Sequence, residues 1–307
     1  MNESEKNREL SDMLLNGMLQ TLKSDNFNRY LKFVSHFPGY SIRNTILILS
    51  QCENATRVTD YDKWKELGRY VKRGEKGIAI FIPSKVKIKK NDIEQTLIKF
   101  HITYVYDISQ TNGESLPEIC NKKLDGNIDN FEMMFNAIKK ISPYKIVFEQ
   151  FDDKAKGYCD YKNKKIAIRM GLNDNQIIKT LIRKFSNCVI YGEEKNKELQ
   201  KIEAESTAFI VSNFFGIDTS DYSFEYVANW CKDLKTEEIQ QTLENIQSTA
   251  NQIINSISEE IKILEKGKNL EYDKHQKLQE RISQAAEKSN KLKNEKELNG
   301  IEKNIHE

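Results

Sequence analysis

Residues 77–107, GIAIFIPSKVKIKKNDIEQTLIKFHITYVYD, decide the fold class. Ile78, Ile80 and Ile82 alternate with other residues, and Val86 and Ile88 keep the period of two. Asn91-Asp92 supplies a polar turn, and alternation resumes through Ile98, Phe100, Ile102 and Tyr104. Successive side chains of an extended strand point to opposite faces, so the pattern predicts an antiparallel β region carrying aromatic residues. On its N-terminal side the period is helical. Leu10, Met13, Leu14, Met18 and Leu22 recur at three- and four-residue steps within 4–23, and 27–34 adds a second apolar-faced segment. Pro38-Gly39 breaks that run, and 45–50 (TILILS) fits an apolar helix or a buried strand equally well. Helices followed by an antiparallel sheet give an α+β chain.

On the C-terminal side, 109–130 is polar, holds Pro117 and two glycines, and lacks periodicity, so it reads as a linker. A second unit then opens with a helix at 131–141 and a strand at 145–149. A hairpin follows, from Gly157-Tyr158 through YKNKK into 166–169. Ile177, Ile178, Leu181, Ile182, Phe185, Cys188 and Val189 give a helix over 174–191 one apolar face, and Asn173 with Gln176 fits a capping box at its start. Another helix, 197–215, stops at Gly216. Beyond Thr236, apolar residues from Ile239 to Leu264 step by three or four, a long amphipathic helix that packs on its own domain or joins a second copy through 236–265. The organisation expected is a domain at 1–112, a linker at 113–130, a domain at 131–235, and a helix with a charged tail at 236–307.

At 307 residues the chain fits about two domains. No run approaches the ~20 apolar residues that cross a bilayer, and the first residues are polar, which makes the cytoplasm the default compartment and excludes a membrane role. Five scattered cysteines without CxxC spacing point to free thiols rather than a disulfide framework or a cysteine metal site.

Charge is the functional signal. Residues 191–307 hold 16 Lys/Arg against 23 Asp/Glu, whereas Arg57 to Lys90 holds 11 basic and 4 acidic residues. Such an asymmetry suits a polyanionic partner for the first part of the chain. Residues 40–77 interleave those cations with planar side chains, as single-stranded nucleic acid requires: Arg57, Arg69, Lys72, Arg73 and Lys76 for phosphates, Arg43 and Asn44 for a phosphate or base edge, and Tyr40, Tyr61, Trp64 and Tyr70 as faces for unpaired bases. The bland readings stand beside these. Trp64, three residues before Leu67 on a helical segment, suits a core, and 72–77 (KRGEKG) suits an ordinary turn.

Several motifs carry a family resemblance. Tyr40-Ser41-x-Arg43-Asn44-Thr45, then Ala55-Thr56-Arg57-Val58, then Trp64-x-x-Leu67-Gly68-Arg69-x-Val71-Lys72-x-Gly74-Glu75-Lys76-Gly77-Ile78-Ala79-Ile80 resemble the N-terminal domain of the ArdC antirestriction family and related LtrC-like proteins. Residues 105–111 (VYDISQT) are similar to that domain's closing strand. The resemblance spans about 10–262 and implies single-stranded DNA binding without strong sequence preference, in a mobile genetic element, protecting DNA from host restriction.

It also implies a metallopeptidase-like second domain. Glu203-Ala204-Glu205-Ser206, the run from Phe215 to Phe224, and Trp230 resemble that domain's later helix and following loop, which places its HExxH segment on Arg183-Lys184-Phe185-Ser186-Asn187. Two histidines at i and i+4 clasp zinc and the intervening glutamate acts as base. Arg183, Lys184 and Asn187 stand in those three places, and cations there repel a divalent ion. The expectation is therefore no metal, no cofactor and no catalysis, with Arg183, Lys184 or Asn187 pairing with Glu203 or Glu205. The expected partner is single-stranded DNA. The alternative is a host restriction or CRISPR nuclease bound through the peptidase-like surface.

Overall fold

The computed structural model describes residues 3–22, 24–37, 39–90, 93–116, 128–151, 155–192, 196–224, 227 and 234–267. Residues Met1–Ser256 form one compact unit and Ile257–Glu307 a second.

The first unit opens with three helices, α1 (Glu3–Thr21), α2 (Ser24–His36) and α3 (Ile42–Gln51). The ambiguous TILILS run is helical. The Ser41 side chain accepts from the Asn44 N–H at the N-terminus, and Thr45, Ile46, Leu47 and Ile48 are all buried. A continuous apolar run fits a helix here because α3 is covered by α1, by α2 and by a strand at once.

That strand is β3. Strand β1 (Val58–Thr59), helix α4 (Tyr61–Glu66) and strand β2 (Arg69–Val71) lead to β3 (Ile78–Lys90) and β4 (Ile93–Asp107), which pair antiparallel from Ile78↔Val105 to Lys90↔Ile93. The sheet order is β1-β4-β3, so β3 has a free edge. Two amides of α3, seven residues apart and thus on one helix face, occupy it. Asn44 Nδ2 donates to the Phe81 carbonyl (2.8 Å) and Asn44 Oδ1 accepts from the Phe81 N–H (3.0 Å). Gln51 repeats the clasp on Ala79, at 2.9 Å in both directions. Two side chains thus stand in for a neighbouring strand and block edge-to-edge pairing.

Gly113, expected to open the linker, belongs to the fold. A 3-10 turn, Ile108–Gln110, precedes β5 (Thr111–Gly113), which pairs antiparallel with β2. Asp107 organises the turn. Its fully buried carboxylate accepts from the backbone N–H groups of Thr56 (2.8 Å), Arg57 (2.9 Å) and Ser109 (3.0 Å). Gly113, at φ 136°, brings β5 so close that an added Cβ would lie 2.3 Å from the Gly68 carbonyl oxygen. Residues 117–127 of the expected linker lie outside the described residues.

The second half contains α5 (Ile128–Ile141), β6 (Lys145–Glu149), β7 (Gly157–Asp160), β8 (Lys165–Arg169), α6 (Asp174–Ile190) and α7 (Lys197–Phe214). Its sheet has the order β6-β8-β7, with β6 parallel and β7 antiparallel to β8. The Asn173/Gln176 capping box is present, and Gly216 has φ 70° after α7. Described residues on both sides of 113–130 belong to the unit Met1–Ser256. Helix α2 packs on α7, and the Asn213 amide donates to the Ser35 hydroxyl. The helix that begins at 236, α8, continues to the end of the unit, with Ile239, Leu243, Ile246, Ala250, Ile253 and Ile254 buried. The second unit is helical over 257–267. Among the described residues no helix is long and apolar enough to cross a membrane.

Candidate nucleic-acid interface

Backbone bonds gather the basic segment around the 108–110 turn. The Ile108 N–H donates to the Arg57 carbonyl (2.8 Å), the Lys72 N–H to the Gln110 carbonyl (2.9 Å), and the Gln110 amide to the Lys76 carbonyl (2.9 Å). Arg57, Lys72 and Lys76 thereby surround one turn. Arg73 and Lys76 are exposed, as is Lys72, whose Nζ donates to the Ser109 carbonyl at 2.7 Å. Tyr61 and Tyr70 are 53% and 60% exposed, with Tyr61 set edge-on against Tyr106.

A groove of about 500 Å³ lies between the helices and the hairpin, with Leu14, Tyr40, Arg43, Phe81, Pro83 and Phe100 in its lining. Arg43 is exposed on the first turn of α3. Phe100, opposite Pro83 in the hairpin, is 58% exposed, an unusual position for a large aromatic side chain. Tyr40 links groove and turn, because its ring packs near Phe33 and Phe37 while its hydroxyl donates to the Val58 carbonyl, next to Arg57, at 3.2 Å. Burial, with the charge of Asp60, pushes that phenol up to about 12.

Three expected contact residues have structural duties instead. Trp64 is 1% exposed and its indole N–H donates to the Tyr106 carbonyl at 2.8 Å, so it offers no face to a base. Asn44 spends its amide on Phe81, as described above. Arg69 turns inward, with Nε donating to the Thr111 hydroxyl (2.8 Å), one terminal nitrogen to the Thr111 carbonyl (3.2 Å), and the other to the carbonyls of Gly113 (3.3 Å) and Glu114. A guanidinium so engaged holds β5 in place and has little left for a phosphate. Phe100 was not among the expected contact residues, because an aromatic residue on an alternating strand reads as core.

In the second half, α6 and α7 bring Arg183 and Glu205 together. Arg183 Nε lies 3.0 Å from Glu205 Oε2, and the guanidinium carbon stands 4.4 Å from the centre of the Tyr222 ring. The contact is an ion pair without in-line hydrogen-bond geometry. Glu203, 1% exposed, accepts from the Asn245 amide of α8 at 2.8 Å. Neither Lys184 nor Asn187 takes the expected place beside a glutamate in the described contacts. The Lys184 carbonyl instead accepts from the Cys159 thiol at 3.2 Å. A cleft of about 300 Å³ beside them is lined by Lys156, Gln176, Lys179, Arg183, Lys184 and Asp221 among others. Lys179 bridges to Asp221 (2.6 Å) and Asp218 (3.3 Å). Among the described residues no group of three or more His, Cys, Asp and Glu side chains could hold a metal ion.

Residues 15–113 match a family model described as the N-terminal domain of anti-restriction factor ArdC. An uncharacterized protein of Bacillus anthracis is 24% identical over 324 residues, an alignment covering 88% of this chain and 54% of that protein. The chain thus spans about half the length of this curated relative. Two crystal structures of the antirestriction ArdC protein from plasmid R388 are also similar. The metal-free one has a TM-score of 0.49 at 16% identity, covering 72% of this chain and 86% of that one. The Mn(II)-bound one has a TM-score of 0.48 at 15% identity, covering 71% and 85%.

Proposed function

We propose that this chain, whose residues 15–113 resemble the N-terminal domain of anti-restriction factor ArdC, binds single-stranded DNA and serves an antirestriction role for a mobile element, without catalysis of its own. The groove carries the reading. Arg43 supplies a cation for a phosphate and the exposed Phe100 ring a face for a base, two groups of the kind that sequence-tolerant strand binding requires. The cations around the 108–110 turn extend the electrostatic footprint, and neutralised phosphates release counterions, which makes such binding steeply salt-dependent.

The second half contributes a scaffold. Arg183 and Lys184 cannot accept a proton at neutral pH or ligate a divalent ion, Glu205 is engaged with Arg183, and Glu203 is engaged with Asn245. That donor set does not fit a divalent metal ion, and no hydrolytic step follows from it.

Fluorescence anisotropy with a labelled oligonucleotide tests the proposal. Phe100→Ala weakens binding by about 1–3 kcal/mol if the ring stacks on a base. An affinity unchanged in both Phe100→Ala and Arg43→Ala removes the groove from the account.

A further inference from the structure

Cys159 on β7 and Cys188 on α6 are 29 positions apart in the sequence, yet their sulfurs are 3.2 Å apart, with the Cys188 thiol donating to Cys159. Both are free thiols. A disulfide needs the sulfurs at about 2.0 Å, so an approach of roughly one ångström closes the bond. The two positions differ in access, because Cys188 is buried on the inner face of α6 and Cys159 is half-buried on the edge strand of its sheet.

We propose that Cys159 and Cys188 form an oxidisable dithiol, a modification site at which a peroxide converts the pair to a disulfide that staples β7 to α6. Cys159 is the attacking sulfur. The hydrogen bond from Cys188, then the charge of Lys184, hold its thiol below the ordinary range, whereas the same contact and burial push Cys188 up. A low, accessible thiol beside a resolving cysteine is the arrangement that oxidises selectively. The Cys159 thiolate displaces hydroxide from hydrogen peroxide and becomes a sulfenic acid. The Cys188 sulfur then attacks that sulfur, and its proton leaves with the departing hydroxyl as water. One peroxide is reduced to two waters, and two thiols become one disulfide.

The bond changes the setting of the peptidase-like helix. In the reduced protein the Cys159 thiol donates to the Lys184 carbonyl, and oxidation removes that donor while tying α6 covalently one turn from Arg183 and Lys184. The test uses the full chain, reduced and freed of reductant, then treated with stoichiometric hydrogen peroxide. Of its five thiols two are lost, a non-reducing digest yields one cross-linked peptide pair containing Cys159 and Cys188, and the thermal midpoint rises until dithiothreitol reverses it. In Cys188→Ser the reaction halts at a sulfenic acid on Cys159 that dimedone traps, whereas Cys159→Ser leaves Cys188 a thiol. Five thiols surviving a dose that oxidises free cysteine, or a cross-link joining other cysteines, overturns the proposal. The wild-type digest decides it even where a variant does not fold.

Discussion

Arg183 sits between Glu205, at 3.0 Å, and the face of Tyr222, at 4.4 Å from the ring centre. The arginine is therefore both countercharge and packing surface for a carboxylate that is only 22% exposed. Removing it leaves Glu205 partly buried without a cation. Arg183→Ala is expected to cost about 1–3 kcal/mol by chemical denaturation. Arg183→Lys, which keeps the charge but not the planar stack, should recover part of that. The double variant with Glu205→Ala should cost less than the two single changes added together.

Asp107 is the keystone of the basic region, since three backbone N–H groups from two segments converge on one buried carboxylate. Asp107→Ala leaves those donors unsatisfied and is expected to destabilise the protein by roughly 3 kcal/mol or more. Asp107→Asn, which keeps one acceptor oxygen, should be milder. Loss of DNA binding in both variants together with loss of fold would mark the residue as architectural.

The amide clasps on β3 predict a local effect. Asn44→Ala should accelerate hydrogen exchange at Phe81 more than at residues on the β4 side of the hairpin, and Gln51→Ala should do the same at Ala79. A cost of about 1–2 kcal/mol is expected for each. Uniform exchange across the hairpin would contradict the clasp.

His36 sets a pH window. Burial holds its pKa below the ordinary 6.5, Arg57 and Lys32 add repulsion, and the Lys32 carbonyl, 2.8 Å from Nδ1, opposes them. The unfolded chain therefore takes up a proton before the folded one, and stability declines as pH falls through 6.5 toward the folded value. Glu149, Asp160 and Asp218, held low by hydrogen bonds first, are expected to lose their contributions in a lower, carboxylate window. Denaturant midpoints across the two windows should show His36→Gln flattening the upper slope alone.

The hairpin, the paired helices and the α6 capping box were legible in the sequence because each rests on local periodicity or a three-residue spacing. TILILS was not, because a run buried on every side loses the period that separates helix from strand. Strands β2 and β5 were invisible at three residues each, and Gly113 read as linker when its missing Cβ is what lets β5 approach Gly68. Sequence pattern and tertiary structure part where one residue type serves two purposes. Trp64, Asn44 and Arg69 have the chemistry of nucleic-acid contacts, but tertiary partners 37 to 45 positions away claim them. The meeting of Cys159 with Cys188 depends on how β7 lies on α6, which no spacing encodes.

The most direct test of the central claim is the salt dependence of single-stranded DNA binding for the wild type and for Lys72→Ala/Arg73→Ala/Lys76→Ala, with circular dichroism confirming the fold. The cations around the 108–110 turn predict binding that weakens linearly on a log–log plot, with the triple variant flattening the slope by about 2, at roughly 0.7 per phosphate contact. Absent binding at low salt, or a slope identical in the two proteins, would contradict the account.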